Sequence, residues 1–142
     1  MAAEWRIEPF DSFGPLRFGM TRGEVATALN QEPRQFAKGF SPNVVEAYNE
    51  KGVHAYYDAD ERLEFIEAFA PCKPSYGDVD LLRADSEATL NALSELGLTA
   101  RSDGDGGVWF DDHGFALFAP SGRTEGISVF RRDYDTAASS IS

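Results

Sequence analysis

Leu16-Arg17-Phe18-Gly19-Met20-Thr21-Arg22-Gly23-Glu24-Val25-Ala26-Thr27-Ala28-Leu29-Asn30-Gln31-Glu32-Pro33 is the stretch on which the fold turns. It reads as the end of an extended segment, a tight turn and a short helix. Thr21 is a good N-cap, and Glu24 three residues on completes a Thr-x-x-Glu capping box. Val25, Ala28 and Leu29 then fall on one helical face. Pro33 is expected to close the helix, because the residue before a proline avoids helical backbone.

A weaker copy of this arrangement follows. Gly14-Pro15-Leu16 lies 63 positions before Gly77-Asp78-Val79, Thr21 lies 65 before Ser86, and Val25 lies 65 before Leu90. Gly52-Val53 lies 62 before Gly114-Phe115, and Phe65-Ile66 lies 61 before Gly126-Ile127. A nearly constant offset across helix and strands points to a tandem repeat. The competing account is that any two helix-plus-meander units resemble each other at this level. The spacing predicts an α+β chain: two tandem helix–β-meander repeats forming one antiparallel sheet with helices on one face. The repeats are expected over 1–73 and 74–135 within one compact domain, with a flexible tail over 136–142.

The strands follow from local pattern. Trp5-Arg6-Ile7-Glu8 alternates and reads as an edge strand before Pro9. Residues 44–49, 53–57 and 62–69 are apolar runs separated by Lys51-Gly52 and Asp58-Ala59-Asp60-Glu61, which predicts sequential hairpins. Arg34 to Asn43 reads as a loop or irregular strand, and Pro71, Pro74 and Gly77 as the link between halves. Asp85 or Ser86 caps a second helix, with Leu90, Leu93 and Leu96 on its apolar side and Gly97 at C′. Further strands are expected at 108–110, 115–118 and 126–130.

Composition narrows the function. With 24 acidic residues against 13 basic ones, the chain of 142 residues carries a formal charge of −11. That disfavours charge-driven binding to nucleic acid or an anionic membrane and favours a basic partner. The competing account of the charge is solubility alone. A single cysteine, Cys72, excludes an internal disulfide. No apolar run reaches the roughly 18 residues of a membrane span. The first ten residues hold no apolar h-region, so the expected compartment is the cytoplasm.

Motifs for chemistry are weak. Asp58, Asp60, Glu61, Glu64 and Glu67, and then Asp103, Asp105, Asp111 and Asp112, cluster on turns and hairpins, where solvated surface is the better account. Asp103-Gly104-Asp105-Gly106-Gly107 opens like a calcium loop, but Gly107, Val108 and Gly114 stand where an EF-hand needs an oxygen ligand, a glycine and a glutamate. A hairpin turn explains it better. His54 and His113 have no partner at ligand spacing. Cys72, beside Lys73, has no positioned base. No phosphate loop or nucleophile elbow is present. The chain is therefore expected to use no cofactor and no metal and to have no enzymatic activity of its own.

Gly19, Met20, Thr21, Glu24, Val25, Leu29 and Pro33 match a Gly-Met-Thr-x-x-Glu-Val-x-x-x-Leu core followed by proline and a strand meander. This resembles the repeat shared by the BamE (SmpA/OmlA) outer-membrane assembly lipoproteins and the β-lactamase inhibitory proteins. Asn30-Gln31-Glu32 replaces the glycine usual before the proline, and the second half lacks the Gly-Met-Thr signature. With no lipobox or leader read ahead of the core, the lipoprotein role is not expected. The resemblance implies a concave, aromatic-lined sheet that grips another protein. Immunity proteins, which neutralise a cognate toxin, are analogous at the level of type.

The aromatics agree with that implication. Ten of them fall on expected strands, and alternation forbids all of them from facing the helices. Tyr48, Tyr56, Glu64, Glu67, Trp109 and Asp111 are the candidate partner-binding residues: rings interleaved with acids, suited to a basic protein. The expected function is a protein-binding inhibitor of immunity type, whose acidic aromatic-lined sheet face occludes a basic partner protein. One alternative is a small-ligand-binding or minor enzymatic domain with a pocket between the sheet and loop 34–43. Another is a structural subunit that dimerises through sheet edges.

Overall fold

A computed structural model describes residues 5–37, 44–82 and 85–132. The expected tail at 136–142, and the loop beyond residue 37 up to 43, lie outside the described residues. The chain runs β1 (Trp5–Glu8), β2 (Ser12–Phe13), β3 (Leu16–Arg17), α1 (Arg22–Leu29), β4 (Arg34–Ala37), β5 (Val44–Tyr48), β6 (Val53–Tyr57) and β7 (Leu63–Ala68). It continues through β8 (Pro74–Tyr76), β9 (Val79–Asp80), α2 (Ser86–Glu95), β10 (Arg101–Ser102), β11 (Gly107–Phe110), β12 (Phe115–Phe118) and β13 (Gly126–Phe130).

The architecture corrects the expected one. The described residues are mostly β, with thirteen strands and two helices. Two sheets form, not one sheet built by two helix–meander repeats with helices on one face. The larger has eight strands in the order β10-β11-β12-β13-β7-β6-β5-β4, and the smaller has five in the order β3-β2-β1-β8-β9. Every pairing in the larger sheet is antiparallel, whereas β1 and β8 run parallel in the smaller one. Apart from Trp5–Glu8, the segments that make the second sheet read locally as turns and a linker. Their strands have two to four residues, too short for a periodicity signal. Trp5–Glu8 is consequently a central strand flanked by β2 and β8, not an edge.

The helix boundaries follow from capping. Thr21 Oγ1 accepts from the Glu24 N–H, and Glu24 Oε1 accepts from the Thr21 N–H, so two orphan donors are satisfied reciprocally. Those bonds also hold the Glu24 carboxyl below its ordinary range. The helix ends before Pro33: Asn30 takes left-handed backbone at φ 51 and donates back to Ala26 and Thr27. Asp85 caps α2, and Gly97 follows the C-cap at φ +90, as expected for a C′ glycine.

The main core lies between the two sheets. Trp5, Ile7, Phe13 and Leu16 come from the small sheet, and Val53, Ala55, Leu63, Ile66, Phe115, Leu117, Ile127 and Val129 from the large one. Val25, Leu29 and Leu93 from the helices join them. Leu96, expected on the buried side of α2, is instead 55% exposed. The opposite face of the large sheet carries a separate cluster of Phe65, Trp109, Ala116 and Phe130, against which Phe10 and Tyr56 pack.

Candidate functional site: the second face of the large sheet

Strand alternation builds this face. Arg101, Trp109, Ala116, Ser128, Glu67, His54 and Ala47 stand opposite one another in turn, making one row across β10, β11, β12, β13, β7, β6 and β5. Small Ala116 and Ser128 leave room at the row's centre. Beside it runs an aromatic row in which Phe130 faces Phe65 and Phe65 faces Tyr56. Phe65 and Phe130 stack at 6.4 Å, Tyr56 meets Phe65 edge-on at 5.3 Å, and Trp109 tilts onto Phe130 at 5.8 Å. Such ring pairs add about 0.5–1.5 kcal/mol each beyond their burial.

Acids hold the rings in place. The Tyr56 hydroxyl donates to Glu67, and His54 Nδ1 lies 4.0 Å from the same carboxylate. The Trp109 indole Nε1–H donates to Asp103 Oδ2 at 3.1 Å. Asp103 Oδ1 also accepts from the N–H groups of Asp105 at 2.8 Å and Gly107 at 3.0 Å. The indole bond, then the Asp105 N–H, hold the Asp103 carboxyl below its ordinary range. The predicted hairpin turn at 103–107 is therefore an Asp-centred turn that also orients Trp109. Asp111 accepts two bonds from Arg101, at 2.7 and 3.1 Å. The Arg101 guanidinium lies 5.4 Å from the Trp109 ring centroid, within cation–π range.

Of the six candidates, Tyr56, Glu67 and Trp109 share this face, and Asp111 borders it through Arg101. Glu64 sits apart, at the irregularity where β6 and β7 shift register. Its carboxylate is 3.8 Å from Arg131 Nη2, and Arg131 Nη1 donates to Asp58 at 2.6 Å. Burial pushes the Glu64 carboxyl up despite the nearby Arg131.

Tyr48 belongs to the opposite face. It is fully buried, close to Glu46, which is 3% exposed. A glutamate is ordinarily a surface residue and almost never fully buried unless paired. Glu46 accepts from the Tyr57 hydroxyl at 2.7 Å and from Gln35 Nε2 at 3.0 Å, with the Tyr48 hydroxyl at 3.5 Å. Arg22 Nη1, from the first turn of α1, lies 3.5 Å from Glu46, and its guanidinium sits 4.2 Å from the Tyr57 ring centroid. Burial, reinforced by the Glu46 carboxylate, pushes both phenols well above their ordinary range.

Two residues outside the six partner-binding candidates belong to the second face. Asp103 organises the turn under Trp109. Phe118 stands on the same face, paired with Gly107 on one side and Gly126 on the other, and is 49% exposed. The glycines flanking it across the sheet were the available signal, but it requires the strand register.

Among the described residues no group of three His, Cys, Asp or Glu side chains is placed to hold a metal ion. Among them, too, no helix is long and apolar enough to cross a membrane. No family model, curated protein or solved structure matches this chain.

Proposed function

We propose that this protein binds and occludes a basic protein partner, as an immunity-type inhibitor, through the second face of its large sheet. The observation that carries the proposal is the placement on that face of Trp109, bonded to Asp103, and of the exposed Phe118, with the Arg101–Asp111 pair at the border, in a chain of net charge −11. Aromatic anchors at the centre of an interface supply most of the binding energy, and charge outside them supplies steering and selectivity. The resemblance of residues 19–33 to inhibitory repeats points the same way. The inhibition needs no catalytic residue, cofactor or metal, and the expected compartment is the cytoplasm. Nucleic acid and anionic membranes remain disfavoured partners for so acidic a chain.

The test is affinity capture, identification of the captured protein, and stopped-flow association of the purified pair over a range of salt. A basic partner whose association slows steeply as salt rises supports the proposal. Salt-indifferent association with a neutral or acidic partner rejects it.

One observation favours a second reading, a small-ligand site beside the start of the 34–43 segment. Glu46, Tyr48, Tyr57, Gln35 and Arg22 bring a carboxylate, two phenols, an amide and a guanidinium together next to β4. A thermal-shift screen of small polar compounds separates the readings: a stabilising compound whose effect vanishes in Gln35→Ala supports the ligand site.

A further inference from the structure

We infer that Phe118 is the anchor of the docking site, and that it takes a basic segment of the partner bearing an apolar side chain beside its Lys or Arg residues. This rests on the proposed function and specifies where on the sheet contact is made. Phe118 and Leu96 are the two large exposed hydrophobic residues among the described ones, and only Phe118 lies on the second face. Its cross-strand neighbours are Gly107 and Gly126. Neither has a side chain of its own to lean against the ring: the Gly126 side is open backbone, and on the Gly107 side the Asp103 carboxylate fills the space. An incoming chain can therefore lie along the ring on the Gly126 side with a carboxylate on the other.

The charges around Phe118 select the occupant. Asp103 occupies the space where a Gly107 side chain would project. Asp105 follows in the same turn, and the Ala119 N–H closes that turn onto Gly106 at 2.7 Å. Glu125 donates its N–H to the Phe118 carbonyl at 2.8 Å. Asp105 and Glu125 are exposed, and Arg123 is the single cation in these two turns. Three carboxylates against one guanidinium in the two turns next to Phe118, with Arg101 already engaged by Asp111, favour a cationic segment and disfavour a second copy of this acidic chain.

The test uses the full chain, immobilised, against a phage-displayed library of short random peptides. Recovered peptides are synthesised, and their affinities are measured by fluorescence anisotropy over a range of salt. The inference predicts Lys- and Arg-rich peptides carrying an apolar residue. Phe118→Ala should weaken their binding about ten-fold or more, as for an interface hot spot. Leu96→Ala should leave affinity unchanged. Asp105→Asn with Glu125→Gln should flatten the salt dependence. Phe118→Lys, which adds a like charge, should weaken binding further than Phe118→Ala. Basic peptides that bind Phe118→Ala as tightly as the parent overturn the anchor while leaving the charge-based function standing. Peptides without basic character, or binding indifferent to salt, overturn the function as well. Recovery of no binding peptide overturns the anchor.

Discussion

Glu46→Ala is expected to be among the most damaging single substitutions on the large sheet. The Glu46 carboxylate is 3% exposed and the Arg22 side chain 19% exposed, so both charges are largely withdrawn from water. Removing one partner of a buried pair costs about 3–5 kcal/mol; Arg22 keeps only the exposed Glu61 carboxylate, 3.5 Å from its Nε, so the loss should lie near the lower end of that range. The substitution also strands the Tyr57 hydroxyl and the Gln35 amide, which donate to Glu46 at 2.7 and 3.0 Å. Domains have a total stability of about 5–15 kcal/mol, so roughly a fifth or more of it is at stake. At about 2–4 °C per kcal/mol for chains near this size, the melting temperature should fall by roughly 10 °C. Urea unfolding followed by circular dichroism is the assay: the midpoint should drop with the slope unchanged. Joining Arg22→Met to Glu46→Leu removes both charges and should recover the part of the loss due to the unpaired guanidinium, while the Tyr57 hydroxyl and the Gln35 amide still lack their acceptor. A Glu46→Ala loss under about 1 kcal/mol, the value for a surface pair, would refute the buried-pair account.

Three further outcomes are expected. Thr21→Ala breaks the capping box and should cost about 1 kcal/mol by urea unfolding, with hydrogen exchange quickening in the first turn of α1. Tyr48 and Tyr57 have raised phenol pKa values, so the folded state keeps protons that the unfolded state sheds above about pH 10. Their contribution is fully present below that pH and is lost as pH rises. Alkaline unfolding of Tyr57→Phe should therefore depend less steeply on pH than that of the parent. Cys72 is 5% exposed, and burial pushes its thiol up to about 12. Maleimide labelling near neutral pH should proceed only in urea, and rapid labelling of the folded chain would contradict its placement in the core.

Local physics was legible in the sequence where it was strong. The capping box at Thr21 and Glu24, the C′ glycine at 97, and the hairpins of β5 through β7 and β11 through β13 all stand where the pattern puts them. The smaller sheet was not legible. Its parallel pairing of Trp5 with Pro74 and Arg6 with Ser75 leaves no local trace: Trp5–Glu8 alternates like a strand but shows no partner, and Pro71, Pro74 and Gly77 make the other segment read as a link. The α2 apolar pattern was over-extended to Leu96, which is the C-cap and no longer part of the buried stripe.

The candidate site was legible in outline only. Alternation correctly separates the two faces of a strand but does not say which one meets the core. In β5 both sets are eligible: Val45 and Ala47 on one side, Glu46 and Tyr48 on the other, all buried. Tyr48 and Glu46 share a parity, so a core position for the ring takes the carboxylate inward with it. The same parity rule placed Tyr56 and Glu67 together, because His54 faces Glu67 and Tyr56 faces Phe65 across the β6–β7 pair. Glu64 escapes the rule at the register shift between Tyr56 and Tyr57, since an irregularity re-aims the neighbouring side chain.

Hydroxyl-radical footprinting of the protein alone and with its captured partner tests the central claim most directly. Phe118 and Leu96 are comparably exposed, at 49% and 55%, at separate places in the fold, so each serves as the other's control. The account predicts that oxidation of Phe118 falls on complex formation while that of Leu96 is unchanged. Protection of Leu96 with Phe118 still fully oxidised would contradict it.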